Sequence, residues 1–440
     1  MNERTQETEL GAVRLRRPDR SQVVMTMQSP DEWVAQDHPV RLVWDVVQRM
    51  DLSPFVQCAK AREGVCGRDT TDPALLVSLW LYANIRGIGA ARELARRCVD
   101  DRPFQWLCGG VTLNYHTLSD FRVNHEAALD ELFTRTIATL VDQDLVSVER
   151  ISQDGTRVRA CAGASSFRRK TRLEELLAQA AEQVKAVKAM LQDPAVSSEL
   201  SARQRAARER AARERQELVE KAIAQLPELQ ERQAKLSKRV SKKDKAKGKL
   251  KEPRASTTDA EARVMKMGDG GFRPAVNMQF ATDTQSRAIV GVSVSNAGVD
   301  NGQAEPMRQQ VQQRTGAVVK EHLIDGGYPA AGDIDRAEQQ DVTIYMPPKP
   351  PRNKQQRGSE FEPRPTDSDA VKRWRQRMGS DAGKTIYKQR AATSETVNAD
   401  GKAHRGLGRL NVRGLQKANC IALWFALAYN IMHLGAKMIG

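Results

Sequence analysis

The sequence predicts an α/β fold in which a mixed β-sheet has flanking helices, an all-α domain precedes it and a helical hairpin interrupts it. Three observations support this fold class. Apolar residues recur at helical spacing through residues 38–140. Two β-rich stretches, 275–281 and 288–294, precede an alternation of helices and short strands. Between these regions, residues 168–254 form two strongly basic helical patterns.

The helical pattern of the first 145 residues predicts a separate N-terminal domain, 1–145. Val40, Val43 and Val47 recur at helical spacing, and Gly87 and Gly89 break the helix that follows. Short helices joined by glycine-containing turns, with several arginines among them, are typical of modules that dock on DNA. A helical domain with an ordinarily charged surface explains the same pattern equally well.

Residues 146–440 predict the α/β domain, interrupted by an insertion at 167–255. A strand runs into Gln153-Asp154-Gly155-Thr156, and the β-rich pair follows the insertion. A helix at 302–313 then precedes a strand at 318–324, which closes on Asp325. A helix, a short strand and three further helices complete the chain, at 330–340, 342–345, 368–378, 382–398 and 413–436. This element order is typical of a ribonuclease-H-like mixed sheet, whose first and fourth strands are central neighbours.

The charge of the chain indicates a polyanionic partner. The formal net charge is +15, and residues 168–254 contain 24 Lys or Arg against 13 Asp or Glu. Because the imbalance has one sign, we favour an arm that lies along a phosphate backbone over a merely solvated hairpin. Nucleic acid is the first expectation, although basic surfaces also bind membranes and acidic proteins.

Cysteine spacing and hydropathy indicate a cytoplasmic protein without a membrane span. The six cysteines form no C-x-x-C pair, so a zinc ribbon or finger has little support and reduced thiols are expected. The first thirty residues contain no apolar segment typical of a secretory signal. The apolar run Cys420–Leu434 is short for a bilayer and contains Asn430 and His433, so we expect a buried core helix.

Two aspartates stand where the predicted central strands end, Asp154 and Asp325. Clustered carboxylates are the hard oxygen ligands that Mg²⁺ requires, and two such ions can activate a nucleophile and stabilise a leaving oxygen at a phosphodiester. The competing interpretation is that each Asp-Gly pair only forms a turn. Asp269-Gly270-Gly271 is nearly a copy of Asp325-Gly326-Gly327, but it precedes its strand, so we exclude Asp269 from the site.

The third carboxylate is predicted on a helix, at Glu395. Tyr387, Arg390, Glu395 and Lys402 would share one helical face about 140° wide, if the helix reached that far. A hydroxyl, two cations and a carboxylate on one face suit phosphate and metal binding. A solvent-exposed face could carry the same residues by chance.

These residues resemble the Y-R-E-K signature of bacterial insertion-sequence DDE transposases, in Tyr387-Lys-Gln-Arg390-Ala-Ala-Thr-Ser-Glu395 followed by Lys402. Gln153-Asp154-Gly155-Thr156 is similar to the family's first-aspartate strand, and Leu323-Ile324-Asp325-Gly326-Gly327-Tyr328 to its second. One departure is the spacer between Arg390 and Glu395, which holds four residues where three are usual.

The resemblance implies a ribonuclease-H-like catalytic core in which Asp154, Asp325 and Glu395 bind Mg²⁺, with Mn²⁺ as a substitute. Tyr387, Arg390 and Lys402 would contact the backbone of the transposon end. The N-terminal domain would recognise the terminal inverted repeats, and the enzyme would cleave these ends and join them to target DNA. Holding two ends together leads us to expect a homodimer on double-stranded DNA.

Two alternatives remain open at the level of sequence. One is a non-catalytic DNA-binding protein derived from a transposase, which needs only the N-terminal helices and the basic insertion. The other is a metal-dependent nuclease that cuts DNA and does not join it.

Overall fold

The computed structural model describes residues 27–58, 61, 69–193, 200–239, 252–328, 331–351 and 359–439. The sequence-based interpretation of residues 1–26 therefore lies outside the described residues. So does the lysine-rich end of the basic insertion, 240–251.

Seven helices form the N-terminal part. Asp72 accepts a hydrogen bond from the backbone N–H of Ala74, and Pro73 occupies the first helical position, so the start of the third helix is fixed locally. That helix is buried on all sides. The helices are α1 Pro39–Gln48, α2 Ser53–Gln57, α3 Pro73–Ile85, α4 Ala91–Asp100, α5 Arg102–Cys108, α6 Tyr115–Asn124 and α7 Glu126–Asp142.

A curled mixed sheet forms the second part. Its strands are β1 Arg150–Arg159, β4 Arg263–Lys266, β5 Phe272–Asp283, β6 Ile289–Ser295, β7 Glu321–Leu323 and β8 Thr343–Tyr345; β2 Phe167–Arg168 and β3 Ala255–Ser256 form a separate two-stranded ribbon. The order is β4-β5-β1-β7-β8, and β6 also pairs with β5. Strand β5 pairs antiparallel with both β1 and β6, whereas β7 pairs parallel with both β1 and β8. The first strand and the predicted fourth strand, β7, are therefore neighbours.

The prediction that Asp154 ends its strand is wrong, because β1 continues to Arg159. β7 pairs with only the first three residues of β1, but β5 pairs with β1 from Ile151 to Arg159 and holds the whole strand extended. Asp154 follows the last β1–β7 pair, Ser152 with Leu323, by two residues. Asp325 follows Leu323, the partner of Ser152 in β7, by two residues as well. The parallel register therefore places Asp154 and Asp325 at the same height along the two neighbouring strands.

Within its described residues, 168–193, 200–239 and 252–254, the basic insertion contains the helices α8 Lys170–Gln192, α9 Ala202–Ala224 and α10 Leu226–Arg239. Ser201 and Gln204 form a reciprocal capping box at the start of α9. A small apolar core near the base contains Leu173, Val219 and Ala222. The β2–β3 ribbon pairs the residues at which the chain leaves and re-enters the sheet domain. The segment between β2 and β3 is therefore a helical excursion with a closed base.

The C-terminal part supplies the remaining helices. They are α11 Ala304–Thr315, α12 Ala331–Gln339, α13 Asp369–Gly379, α14 Asp381–Arg390, α15 Thr396–Ala403 and α16 Leu415–Met438. A single π turn, Ala391–Glu395, joins α14 to α15. The helix predicted at 382–398 therefore reaches Ala403, although it is not α-helical throughout.

Helix α16 forms the centre of the molecule. Trp424 and Phe425 are at most 1% exposed, and each large apolar side chain buried in this way contributes about 1.5–3 kcal/mol. One continuous apolar core contains residues of α16, of the N-terminal helices and of β1, β5 and β6. Asn430 bonds to both the N–H and the carbonyl of Ile289 in β6. By length and composition α16 is the one described helix that could cross a membrane, but 83% of its most apolar window is buried, as the sequence predicted for a core helix.

Candidate active site

Two carboxylates contact the guanidinium of Arg390, and a third lies within electrostatic reach of it. Arg390 donates from Nη2 to Asp154 Oδ1 over 2.8 Å and from Nη1 to Glu395 Oε1 over 2.5 Å. Asp325 is close enough to raise the pKa of Arg390 along with the other two carboxylates. The fold thus brings Asp154 and Glu395 to one guanidinium, with Asp325 within electrostatic reach of both Arg390 and Asp154.

The π turn accounts for the unusual spacing between Arg390 and Glu395. In an α-helix the residue four positions on lies over the first, whereas in a π turn the residue five positions on does so. The five-residue step from Arg390 to Glu395 coincides with the turn Ala391–Glu395. Because the additional residue is absorbed locally, the guanidinium and the carboxylate still meet on one face. A helical wheel drawn at 100° per residue could not predict this.

Asp154 is held on both of its oxygens. Asn398 of α15 donates to Oδ2 over 2.9 Å, while Arg390 holds Oδ1. Burial raises the pKa of Asp154, and the charge of Asp325 adds to this rise, whereas Arg390 and Asn398 oppose it. The side chain of Asp154 is 20% exposed, so the carboxylate stands at the floor of the site.

Asp325 lies in the loop after β7 and is exposed. Its Oδ1 accepts a hydrogen bond from the N–H of Gly327 over 2.7 Å, which makes the loop a short Asx turn. Three residues further on, the ring of Tyr328 is fully buried, and its hydroxyl donates to Gln279 Oε1 in β5. Tyr328 therefore anchors the loop that carries Asp325 to the centre of the sheet.

A glycine is required at position 155 because neighbouring side chains leave no space for a Cβ atom, and not because the backbone turns there. It lies inside β1, and a Cβ atom there would collide with Gln279 Nε2 and Asp300 Oδ1. Asp300 accepts hydrogen bonds from Asn277 and Gln279 and pairs with Arg157. The Asp-Gly sequence at 154–155 thus combines a site carboxylate on one face of the sheet with space for a polar network on the other.

Tyr387 and Lys402 both interact electrostatically with the carboxylates. Tyr387 of α14 is half-buried, and burial raises its pKa, with a further contribution from Asp325 and Glu395. Lys402 of α15 is exposed, yet partial desolvation lowers its pKa, and the charge of Asp154 opposes that shift. Both side chains are therefore within electrostatic reach of the acidic residues.

The donor set suits a hard divalent cation, with one qualification from geometry. Carboxylate oxygens are the ligands that Mg²⁺ favours. Within the described part of the chain, however, no group of three His, Cys, Asp or Glu side chains is close enough together to bind an ion. The guanidinium of Arg390 pairs with both Asp154 and Glu395 and supplies positive charge to these two carboxylates.

Sequence reasoning missed Asn398 and Asp300. Asn398 follows Glu395 by three residues, a spacing that places two side chains on one helical face, so its position was available as a signal. Asp300 lies in a loop with no periodicity, and only the folded structure brings it to Gly155. Asp269, excluded from the site, accepts from the N–H of Gly271 and pairs with Arg273 in the turn before β5.

Comparison with known families gives two matches. A model described as Transposase DDE domain matches residues 347–435, which include Arg390 and Glu395, and a model described as Transposase domain (DUF772) matches residues 28–124. Neither curated proteins nor solved structures give a match. Both matched descriptions are of transposase domains, whose substrate is DNA. Proteins with a DDE domain normally use a divalent metal.

Proposed function

We propose that this protein is an insertion-sequence DDE transposase, which cleaves DNA at transposon ends and joins those ends to target DNA. The observation that supports the proposal is the contact of Asp154 and Glu395 with one guanidinium, within electrostatic reach of Asp325, although about 240 residues separate Asp154 from Glu395. The two transposase-domain matches, one before the basic insertion in the sequence and one after it, also support the proposal.

We interpret the sheet as ribonuclease-H-like. The order β6-β5-β1-β7-β8, antiparallel up to β1 and parallel beyond it, supports this interpretation. It accounts for the level placement of Asp154 and Asp325 on neighbouring strands, and it assigns the helix that carries Glu395 to the face above them. Residues 146–440 would then form the catalytic domain, interrupted at 167–255.

Asp154, Asp325 and Glu395 would hold the divalent metal, Mg²⁺ or Mn²⁺. When bound there, the metal would supply the positive charge that activates an attacking oxygen and neutralises the phosphate. Arg390 must withdraw from at least one carboxylate to make room. Glu395 is the carboxylate most free to move, because its side chain is 53% exposed, against 20% for Asp154.

The reaction proceeds in two displacements at phosphorus. In the first, the oxygen of water attacks a phosphodiester at the transposon end, and the bond to the 3′ oxygen breaks and frees a 3′-hydroxyl. In the second, that hydroxyl attacks a target phosphodiester, and a target 3′-hydroxyl leaves. Asn398 fixes the orientation of Asp154, and Tyr387, Arg390 and Lys402 would hold the DNA backbone beside the carboxylates.

The other parts of the chain would position the DNA. The helices of residues 1–145 would recognise the terminal inverted repeats, and the basic insertion would lie along the phosphate backbone. A homodimer would hold two ends together. We expect the enzyme to be soluble and to work in the cytoplasm.

The test compares two Asp-Gly-Gly sequences in one chain. The variant Asp325→Ala should lose Mg²⁺-dependent cleavage of end-bearing DNA by at least about a thousandfold, equivalent to about 4 kcal/mol, because one of three metal ligands is removed. Asp269→Ala is the matched control and should cleave normally, because Asp269 lies in a remote turn. Undiminished cleavage by Asp325→Ala would refute the assignment.

The same assay separates the alternatives when a target plasmid is added. Joined product supports the transposase, cut product without joining indicates a nuclease, and binding without either product indicates a non-catalytic DNA-binding protein. An acidic trio gathered at one site favours the first outcome over the last, since a DNA-binding protein gains nothing from three carboxylates facing its ligand.

A further inference from the structure

A basic cleft of about 500 Å³ lies between the N-terminal helices and the segment that precedes α16. Arg92 of α4 contributes to one wall, and Arg413 and Lys417 to the other. All three side chains are exposed, and none of the ion pairs found among the described residues involves them. No Asp or Glu is among the residues that line the cleft. The residues that line the cleft therefore carry only positive charge, and two carboxylates outside the lining, Asp259 and Glu261, accept from backbone N–H groups between Arg413 and Lys417.

Arg122 also lines this cleft and, unlike Arg92, Arg413 and Lys417, it is buried. It is 8% exposed, its guanidinium lies 4.6 Å from the centre of the Trp80 ring, and its Nη1 donates to the carbonyl of Gly89. Its Nε has no hydrogen-bond partner among the described residues. Burial lowers the pKa of Arg122 to about 10. A buried cation without a carboxylate is costly, and an anion bound in the cleft would offset that cost.

The start of α4 points to the same kind of ligand. This ten-residue helix begins at the cleft, and its N-cap residue, Ala90, has no side chain that could accept from the first backbone N–H groups. Uncapped N–H groups at a helix start carry a partial positive charge and bind phosphate oxygens. Together with Arg122, the helix start supplies directed donors, while Arg92, Arg413 and Lys417 supply charge.

We infer that this cleft binds a phosphate of the DNA backbone, as a second anchor for the DNA that enters the active site. The choice of DNA as the source of the phosphate rests on the proposed function; the anion site itself does not. From Asp154 the strand β1 runs to Arg159, and Cys161 at the cleft follows two residues later, so the seven residues span at most about 23 Å at 3.3 Å per residue. At 3.4 Å per base pair this span is about seven base pairs, so one duplex is long enough to reach both places.

The cleft also joins parts of the chain that are remote in sequence. Arg92 and Arg122 belong to the N-terminal helices, whereas Arg413 and Lys417 follow the helix that carries Lys402. A phosphate bound there would contact both parts. Arginine forks and a helix start suit phosphate better than they suit a single carboxylate, because they offer several directed donors to three oxygens.

The decisive variant is the double substitution Arg413→Ala with Lys417→Ala, which removes only exposed side chains. DNA affinity is measured by fluorescence anisotropy on an end-bearing duplex over a range of salt concentrations, with the full chain in EDTA so that cleavage plays no part. We expect affinity to fall about tenfold, and the slope of log affinity against log salt to decrease by about 0.9 for each phosphate that the variant no longer neutralises. The matched control is Lys437→Ala, an exposed lysine at the other end of the same helix, which should behave as the wild type does.

A second measurement needs no substitution. Cys161 lines the cleft and is partly exposed, so its alkylation by a maleimide, followed by peptide mass spectrometry, reports whether the cleft is covered. We expect the end-bearing duplex to slow alkylation of Cys161 and millimolar inorganic phosphate alone to leave it unchanged. Equal protection by inorganic phosphate would identify a site for a free anion and overturn the DNA assignment.

Failure of this inference differs from failure of the proposed function. If the wild type cleaves ends but the double variant keeps the wild-type affinity and salt slope, and DNA leaves Cys161 reactive, the cleft is not a DNA site and the transposase proposal stands. If the wild type neither binds nor cleaves the ends, the proposed function is itself wrong.

Discussion

His322 of β7 is a fully buried histidine whose one side-chain hydrogen-bond contact among the described residues is with the cation Arg308. Its Nδ1 lies 3.3 Å from Nη1 of Arg308. Burial, and then the charge of Arg308, hold the pKa of His322 well below its usual 6.5. The folded protein therefore keeps His322 neutral at pH values at which the unfolded chain binds a proton.

Acidification below pH 6.5 should thus destabilise the protein through this residue. The unfolded state gains a proton that the folded state refuses, so the free energy of unfolding falls by up to about 1.4 kcal/mol per pH unit. His322→Gln should reduce this dependence, measured as urea midpoints at pH 7.0 and pH 5.5. His116→Gln, at an exposed histidine, is the control and should leave the dependence unchanged. An identical pH dependence in His322→Gln and the wild type would contradict the prediction.

Sequence reasoning named the acidic residues but not their surroundings. Asp154, Asp325 and Glu395 carry a recognisable pattern, and the structure links Asp154 and Glu395 through Arg390. The pairing of Arg390 with two of them was not predicted, because a side chain's partner depends on packing between segments more than 200 residues apart. The position of Asp154 inside β1 was missed for a similar reason, since pairing with β5 extends the strand beyond the Asp-Gly pair that locally indicates a turn.

At the scale of elements, the π turn Ala391–Glu395 sets the direction in which Glu395 points. Deletion of Ala392, an exposed residue of this turn, should convert it to an α-helical turn and leave Arg390 and Glu395 four residues apart, still on one face. We therefore expect Mg²⁺-dependent cleavage to stay within about tenfold of the wild-type rate, a change of about 1.4 kcal/mol in the barrier.

The insertion of one residue at the same point of the turn is the comparison variant. One alanine added after Ala392 should turn Glu395 by about 100° and abolish cleavage, while the thermal unfolding temperature stays close to that of the wild type. Equal loss of cleavage in both variants would show that the turn itself, and not the direction of Glu395, is required.

Element boundaries followed the sequence closely where periodicity and caps were strong. The helices predicted at 302–313 and 368–378 occur at Ala304–Thr315 and Asp369–Gly379. The strand predicted at 318–324 is shorter, Glu321–Leu323, because only those residues find partners in β1 and β8. The π turn had no local signal, since an extra residue in a helix changes neither its hydrophobicity nor its caps.

At the scale of the whole molecule, α16 shares one apolar core with the N-terminal helices and the sheet, so we expect these parts to unfold together. Trp424→Ala should destabilise the protein by about 3–5 kcal/mol and should lower hydrogen-exchange protection in α3 and β6 alike. Trp374→Ala is the comparison, because Trp374 belongs to a separate core formed with β8 and α12. We expect it to reduce protection there first. Loss of protection confined to α3 in Trp424→Ala would contradict the shared core.

Sequence composition could not predict this sharing. Residues 1–145 have enough apolar residues to suggest a domain of their own, and the apolar run Cys420–Leu434 indicates only that it must be covered. Which surface covers it is decided by contacts between the two ends of the chain, for example the bond from Trp424 Nε1 to the carbonyl of Arg122.

The β2–β3 ribbon gives the basic insertion a property of its own. Its two ends are held as paired neighbours, Phe167 with Ser256 and Arg168 with Ala255, about 5 Å apart. Any polypeptide whose ends meet at that distance can be grafted there without moving the strand that bears Asp154. The reach of the arm is thus an interchangeable attribute, which selection or an engineer can lengthen, shorten or replace while the chemistry stays as it is.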